Sequence, residues 1–155
     1  MTLKRKQEGF TIVELLIVIV VIGILAALVI TTFTGIQQKA RDTERTTDVK
    51  AIHGQVEAYY AQNGSYPGLG SATVDGLNNT TWRSANMKGL DADALKDPKG
   101  TLQELAATVS GTQYGYAVFQ TNGTTACTTA AADCAVYTLT ANLEAGGTTQ
   151  KKNLN

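Results

Sequence analysis

From Leu15 to Ile36 the chain carries no charged residue over 22 positions, and most of them are Leu, Ile, Val or Ala. A helix of that length rises ~33 Å, enough to cross the hydrocarbon core of a bilayer. Lys4, Arg5 and Lys6 stand just before the run, and a short basic N-terminus keeps that end in the cytoplasm while the remainder faces outward. Beyond this sorting the charges cancel, with 13 Lys and Arg against 13 Asp and Glu in 155 residues. That balance argues against a nucleic-acid binder working through a global basic field, so no specific nucleic-acid partner is expected. One His and two Cys are too few for a zinc site built from those ligands.

A basic stretch followed by an apolar run is commonly a cleaved secretory signal or a simple anchor. Three features point elsewhere. The small residue suited to cleavage, Gly9, lies before the apolar run rather than after it. Glu14 interrupts the run at its entrance, where an ionisable group is costly unless it has a partner. The helical pattern also continues past the apolar segment into a second amphipathic stretch. If a peptidase cuts between Gly9 and Phe10, the new α-amino group of Phe10 stands four residues from Glu14, on one helix face. In a packed bundle Glu14 could also meet the amino terminus of a neighbour, where a low dielectric strengthens the attraction and sets a register for assembly.

The sequence Lys4-Arg5-Lys6-Gln7-Glu8-Gly9-Phe10-Thr11-Ile12-Val13-Glu14-Leu15-Leu16 resembles the class III signal of type IV prepilins and type II secretion pseudopilins. The likeness extends to about residue 67, through Ala40-Arg41-Asp42 and Tyr59-Tyr60-Ala61-Gln62-Asn63-Gly64-Ser65-Tyr66-Pro67; Lys96-Asp97-Pro98-Lys99-Gly100 is similar to a turn that often precedes the sheet in pseudopilin-like subunits. The resemblance implies removal of a leader, residues 1–9, by a prepilin peptidase acting between Gly9 and Phe10. It also implies N-methylation of Phe10 and assembly through Glu14 and Phe10 into a helical filament with copies of itself and other pilins, driven by pilus assembly machinery. The subunit would sit in the cytoplasmic membrane before assembly and in a surface filament afterwards. Thr31 stands where many members carry a proline. Gly23 and Gly35 each lower helix stability by up to ~1 kcal/mol relative to Ala, which makes the stretch around Gly23 the expected place for the helix to extend when subunits pack.

The outer half of the helix can be read without the resemblance. Asp42 and Arg45, Arg41 and Glu44, and Arg45 and Asp48 are spaced i,i+3, which supports a solvated helix by a few tenths of a kcal/mol per pair. Val49, Ile52, Val56 and Tyr59 form one apolar face that needs a partner. The helix should end at Asn63-Gly64, where Gly supplies a left-handed cap before Tyr66-Pro67. Residues 10–63 thus form one helix, membrane-spanning over 10–36, and residues 64–155 a head. Within the head, 64–110 is loop-rich, with short elements around Thr80 to Arg83, Asp91 to Leu95 and Thr101 to Val109. Period-two patterns predict antiparallel strands at about 114–121 and 135–143. The expected fold is α+β: a type IV pilin-like roll with the long helix packed on a small antiparallel sheet.

Cys127 and Cys134 enclose six residues; an exported chain meets an oxidising compartment, which favours a disulfide, and the spacing is not that of a redox Cys-x-x-Cys. His53 has no nucleophile at catalytic spacing and reads as structural or solvated. Asp91, Asp93 and Asp97 lack the ligand order and central Gly of a calcium loop. Asn63, Asn78, Asn79 and Asn122 match the glycosylation acceptor pattern, which Asn- and Thr-rich loops produce by chance. No acid, base and nucleophile converge, so neither catalysis nor a cofactor or metal is expected. The leading expectation is a pilin of a type IV pilus serving adhesion, twitching motility or DNA uptake. The alternatives are a pseudopilin of a type II secretion-type system and a tethered binding module that never assembles.

Overall fold

The computed structural model describes residues 9–130 and 133–154. Residues 1–8 of the expected leader lie outside the described residues. The chain resolves into two compact units, residues 1–37 and 38–155.

Helix α1 runs from Ile12 to Asn63. In the first unit it is the sole described element, unbroken at Gly23, Thr31 and Gly35. Its large apolar side chains from Ile12 to Ile36 are all exposed. The polar interruptions are satisfied locally: the Thr31 and Thr32 hydroxyls donate back to the Leu28 carbonyl at 3.0 and 3.1 Å, so neither costs an unpaired group in an apolar surrounding.

In the second unit α1 ends at Asn63. Gly64 takes φ +72°, a left-handed conformation glycine adopts without a Cβ penalty, and its amide donates to the Tyr60 carbonyl at 2.8 Å. The buried stripe is Arg45, Val49, Ile52, Val56 and Tyr59, the expected apolar face with a charged residue added one turn earlier. It packs on a three-stranded antiparallel sheet in the order β1-β2-β3: β1 Gly115–Gln120, β2 Cys134–Asn142 and β3 Thr148–Lys152. Tyr116 pairs with Leu139 and Val118 with Tyr137 across β1 and β2, all four on the core side. Tyr66, Tyr116 and Tyr137 form an edge-to-face and tilted cluster with centroids 4.7 and 5.4 Å apart, a geometry that adds to simple area burial.

Two expectations change. Strand β3 stands where none was expected: Thr-Thr-Gln-Lys-Lys has no apolar alternation, and a sheet edge does not require one. Its hairpin turns through Gly146 and Gly147, both at positive φ, with the Leu143 amide donating to the Gly147 carbonyl at 3.0 Å. Thr101 to Val109 contains no helix. Tertiary partners claim its backbone instead: the Asn78 side chain pairs with both the amide and carbonyl of Leu105 (2.8 and 2.9 Å), and Ala106 bridges β1 at Gly115. The short elements before it do form. Helix α2, Thr80–Asn86, is capped by Asn79, and a 3-10 turn, Ala92–Leu95, by Asp91.

Candidate functional site

At the helix start, Gly9 and Phe10 lie outside α1 and Phe10 is 90% exposed. Thr11 is the cap. Its amide and hydroxyl both donate to Glu14 Oε2, at 2.8 and 2.7 Å, while the Glu14 amide donates to Thr11 Oγ1 at 3.2 Å. This reciprocal exchange is a capping box, and Thr-x-x-Glu ahead of an apolar run is its sequence signature. Glu14, expected as a charge awaiting a partner, is thus also half of a cap that Thr11 completes. In the uncut chain Phe10 is not on a helix face with Glu14, because the cap ends the helix one residue after it.

A second cluster lies in the head. Arg45 is 1% exposed and makes a bidentate pair with Asp97, itself 3% exposed, through Nε to Oδ2 at 2.7 Å and Nη2 to Oδ1 at 3.1 Å. Arg45 Nη1 also donates to Asp42 Oδ1 at 2.9 Å and Glu144 Oε1 at 3.0 Å. Glu144 accepts in addition from Arg41 at 2.6 and 2.7 Å and pairs with Lys99 at 2.9 Å. The Asp42 carboxylate accepts from the Glu144 and Ala145 amides, fixing the turn before β3. Three cations meet three carboxylates. The Arg41 guanidinium, with Lys99 and Arg45, holds the Glu144 carboxyl well below its ordinary range. For Asp42 burial pushes upward, but the two amides and Arg45 prevail and lower it. The Asp97 hydrogen bonds and charge raise Arg45. The helix charges therefore do not form a solvated i,i+3 ladder: of the three expected pairs the structure shows Asp42–Arg45, while Arg41 turns to Glu144 and Arg45 to Asp97 because burial rewards the bidentate partners.

Asp48 accepts from the Tyr114 hydroxyl at 2.7 Å; burial raises its carboxyl despite that bond, and burial together with Asp48 raises Tyr114. His53 is structural: the Tyr137 hydroxyl donates to Glu57 Oε1 at 2.8 Å and lies 2.6 Å from His53 Nδ1. With its one proton given to Glu57, Tyr137 accepts from His53, which places a proton on Nδ1.

Asp91, Asp93 and Asp97 do not converge. Asp91 caps its turn, Asp93 accepts from Gln103 at 2.6 Å and Asp97 is held by Arg45; among the described residues no three ligands gather for a metal. Of the acceptor-pattern asparagines, the side chain of Asn63 bonds the Tyr59 carbonyl, Asn78 holds Leu105, Asn79 caps α2 and Asn122 closes a turn on Thr124 and Thr125. Cys127 and Cys134 are joined in a disulfide with Cα atoms 6.0 Å apart, tying the connection between β1 and β2 to the first residue of β2.

Residues 4–30 match the family described as the prokaryotic N-terminal methylation motif. The chain is 30% identical over 109 residues to the type II secretion system core protein G of Dickeya chrysanthemi, covering 68% of this chain and 71% of that protein. It is 35% identical over 100 residues to the protein of the same name from Vibrio cholerae serotype O1, covering 62% and 68%. With that of Aeromonas hydrophila the identity is 39% over 64 residues, 41% of this chain and 45% of the other. No solved structure matches. A match of 109 residues outruns α1, which ends at Asn63, so the likeness includes head as well as helix. With a methylation motif on a membrane-length apolar helix, a helix-on-sheet head and a relative 30% identical over 68% of its length, this chain belongs to the structural family of type IV pilins and type II secretion pseudopilins.

Proposed function

We propose that this chain is a pseudopilin: a subunit of a type II secretion-type filament that assembles through its N-terminal helix. The observation that carries the reading is the extent of similarity to proteins named type II secretion system core protein G, which continues beyond the shared N-terminal motif into the head. It favours the secretion alternative over the pilus of adhesion, motility or DNA uptake, whose subunits carry the same motif.

Within this reading the peptidase cuts between Gly9 and Phe10, the new terminus is methylated, and the chain rests in the cytoplasmic membrane with its head outside. Two features support cleavage there. The bond lies outside the helix, and Phe10 is exposed. Assembly then transfers the Ile12 to Ile36 side chains, all open in the single chain, from lipid to neighbouring helices. Glu14 changes partner in the process, from its own Thr11 to the amino terminus of a neighbour.

The capping box dictates how Glu14 is tested. Glu14→Ala removes both charge and cap, whereas Glu14→Gln keeps a cap and removes the charge. If the charge sets the register, both variants are processed and neither enters filaments; filaments of normal yield from Glu14→Gln would refute the charge role. N-terminal mass spectrometry of sheared and membrane fractions tests the rest. A chain beginning at methylated Phe10 and retained with the cells supports a pseudopilin. Abundance of that chain in the sheared fraction supports a pilus subunit, and functional protein keeping residues 1–9 supports a tethered module.

A further inference from the structure

Among the described residues the head buries two arginines and treats them differently. Arg45 faces the carboxylates of Asp42, Asp97 and Glu144. Arg83, in α2 and 4% exposed, has no ion pair among the described residues. Its one hydrogen bond runs from Nη1 to the Leu77 carbonyl at 2.6 Å. A carbonyl dipole does not neutralise a guanidinium, and a desolvated charge without a counter-charge is costly. Burial accordingly pulls the Arg83 pKa below its ordinary value, while Glu104, beyond ion-pair distance, opposes the shift.

Arg83 lines a cavity of about 330 Å³ formed by α2 and the turn that follows it. Every fully buried side-chain nitrogen among the described residues has a partner. Nε and Nη2 of Arg83, from which no protein atom accepts, are therefore open to solvent instead of sealed in the core. This is the same edge of the guanidinium with which Arg45 grips Asp97, and on Arg83 it is vacant. Lys88, exposed and without an ion pair among the described residues, adds a second cation to the cavity lining, and Thr80 adds a hydroxyl. Met87 and Leu90 supply an apolar side. No acidic residue lines the cavity. Asp91 and Asp93, which flank the lining residue Ala92, already accept from the Asp93 amide at 3.0 Å and from Gln103 at 2.6 Å.

We propose that this cavity receives an acidic side chain of a partner polypeptide. Its carboxylate accepts from Nε and Nη2 of Arg83 as a planar pair, Lys88 contributes the second positive charge, and the methylene stem lies along Met87 and Leu90. The guanidinium edge matches a carboxylate in both geometry and charge. Two cations with no acid among them repel a basic partner, and the apolar side has no counterpart on an inorganic anion. The Leu77 carbonyl holds Nη1 and so fixes the guanidinium with its open edge presented.

The test uses the full chain, labelled with nitrogen-15 in neutral detergent micelles at constant ionic strength, and acetyl-Glu-N-methylamide as the probe. The expected result is a saturable shift of the Arg83 Nε–H and of the Ser84 and Lys88 amides. Acetyl-Gln-N-methylamide should bind about tenfold more weakly or worse, because it lacks the charge. Two variants should lose the acid's effect to the same degree: Arg83→Gln, which keeps a donor for the Leu77 carbonyl, and Lys88→Glu, at an exposed position. Trp82 fluorescence, from the same helix, checks that both remain folded. No saturable response, an equal response to the glutamine analogue, or undiminished binding by folded Lys88→Glu would overturn the proposal. Tighter binding of inorganic phosphate than of the acid would overturn it in favour of a phosphate site. So would a shift of the Arg83 Nε–H in Glu104→Gln as large as the acid produces, which would make Glu104 the counter-ion.

Discussion

Replacing Arg45 by Met keeps an unbranched, apolar stem in the stripe and removes the guanidinium. Asp97 is then left 3% exposed with its bidentate partner gone, retaining the Lys99 backbone amide at 2.8 Å as a donor. Removing one member of a buried pair costs about 3–5 kcal/mol, mainly because the other charge stays buried and uncompensated. Asp42 and Glu144 lose less, since Asp42 keeps two backbone amides and Glu144 keeps Arg41 and Lys99. Against a total stability of roughly 5–15 kcal/mol, the head would be close to unfolding. At about 4 °C per kcal/mol for a unit near this size, its midpoint should fall by about 12–20 °C. The assay is guanidinium and thermal unfolding of the full chain in mild detergent, followed by Trp82 fluorescence. Trp82 packs on Tyr59 with centroids 5.3 Å apart, so it reports the head rather than the apolar helix. Asp97→Asn and the double variant complete a cycle: the double should be less unstable than the sum of the singles by about 2 kcal/mol. A loss below about 1 kcal/mol in Arg45→Met, or simple additivity, would refute the view that this pair is a coupled buried unit.

Further outcomes follow from the same chemistry. Because the Asp42 and Glu144 carboxyls are lowered in the folded chain, their contribution is complete above their ordinary values near 4 and is lost as pH falls through the lowered ones. Denaturant midpoints should therefore decline on acidification below about pH 5, and flat midpoints down to pH 2 would contradict the assignment. Asp48 has the opposite sign: its raised carboxyl favours the folded state when protonated and costs stability when ionised. Asp48→Asn, which can still accept from Tyr114, should thus match or exceed the parent's stability at pH 7, with a loss above about 1 kcal/mol counting against this. Replacing Cys127 and Cys134 by Ser should cost roughly 2–3 kcal/mol on the chain-entropy account, measured by urea unfolding without reductant.

Features legible in the sequence are those whose cause is local. The end of α1 followed from Gly64 and Pro67, the buried stripe from the spacing of Val49, Ile52, Val56 and Tyr59, and strands β1 and β2 from period-two alternation. Others depend on partners far along the chain. Arg45 and Asp97 are 52 residues apart, and nothing in either neighbourhood distinguishes a buried arginine from a solvated one. The stretch around Leu105 has helical composition, yet Asn78 and β1 take its backbone. Strand β3 carries no apolar pattern because an edge strand covers little core, although Gly146-Gly147 marked a turn. The capping box is local and fully legible in Thr11 and Glu14.

The ion cluster also sets the order of events during synthesis. Arg41, Asp42 and Arg45 leave the ribosome long before Lys99, and Glu144 comes about a hundred residues after the helix that awaits it. Until the turn before β3 arrives, Arg45 has Asp97 and Asp42 but not Glu144, and Arg41 lacks its bidentate partner. Closure of so long a loop is entropically slow. A chain truncated before Glu144 is therefore expected to be cut by protease faster than the complete head, because Arg45 then lacks one of its partners.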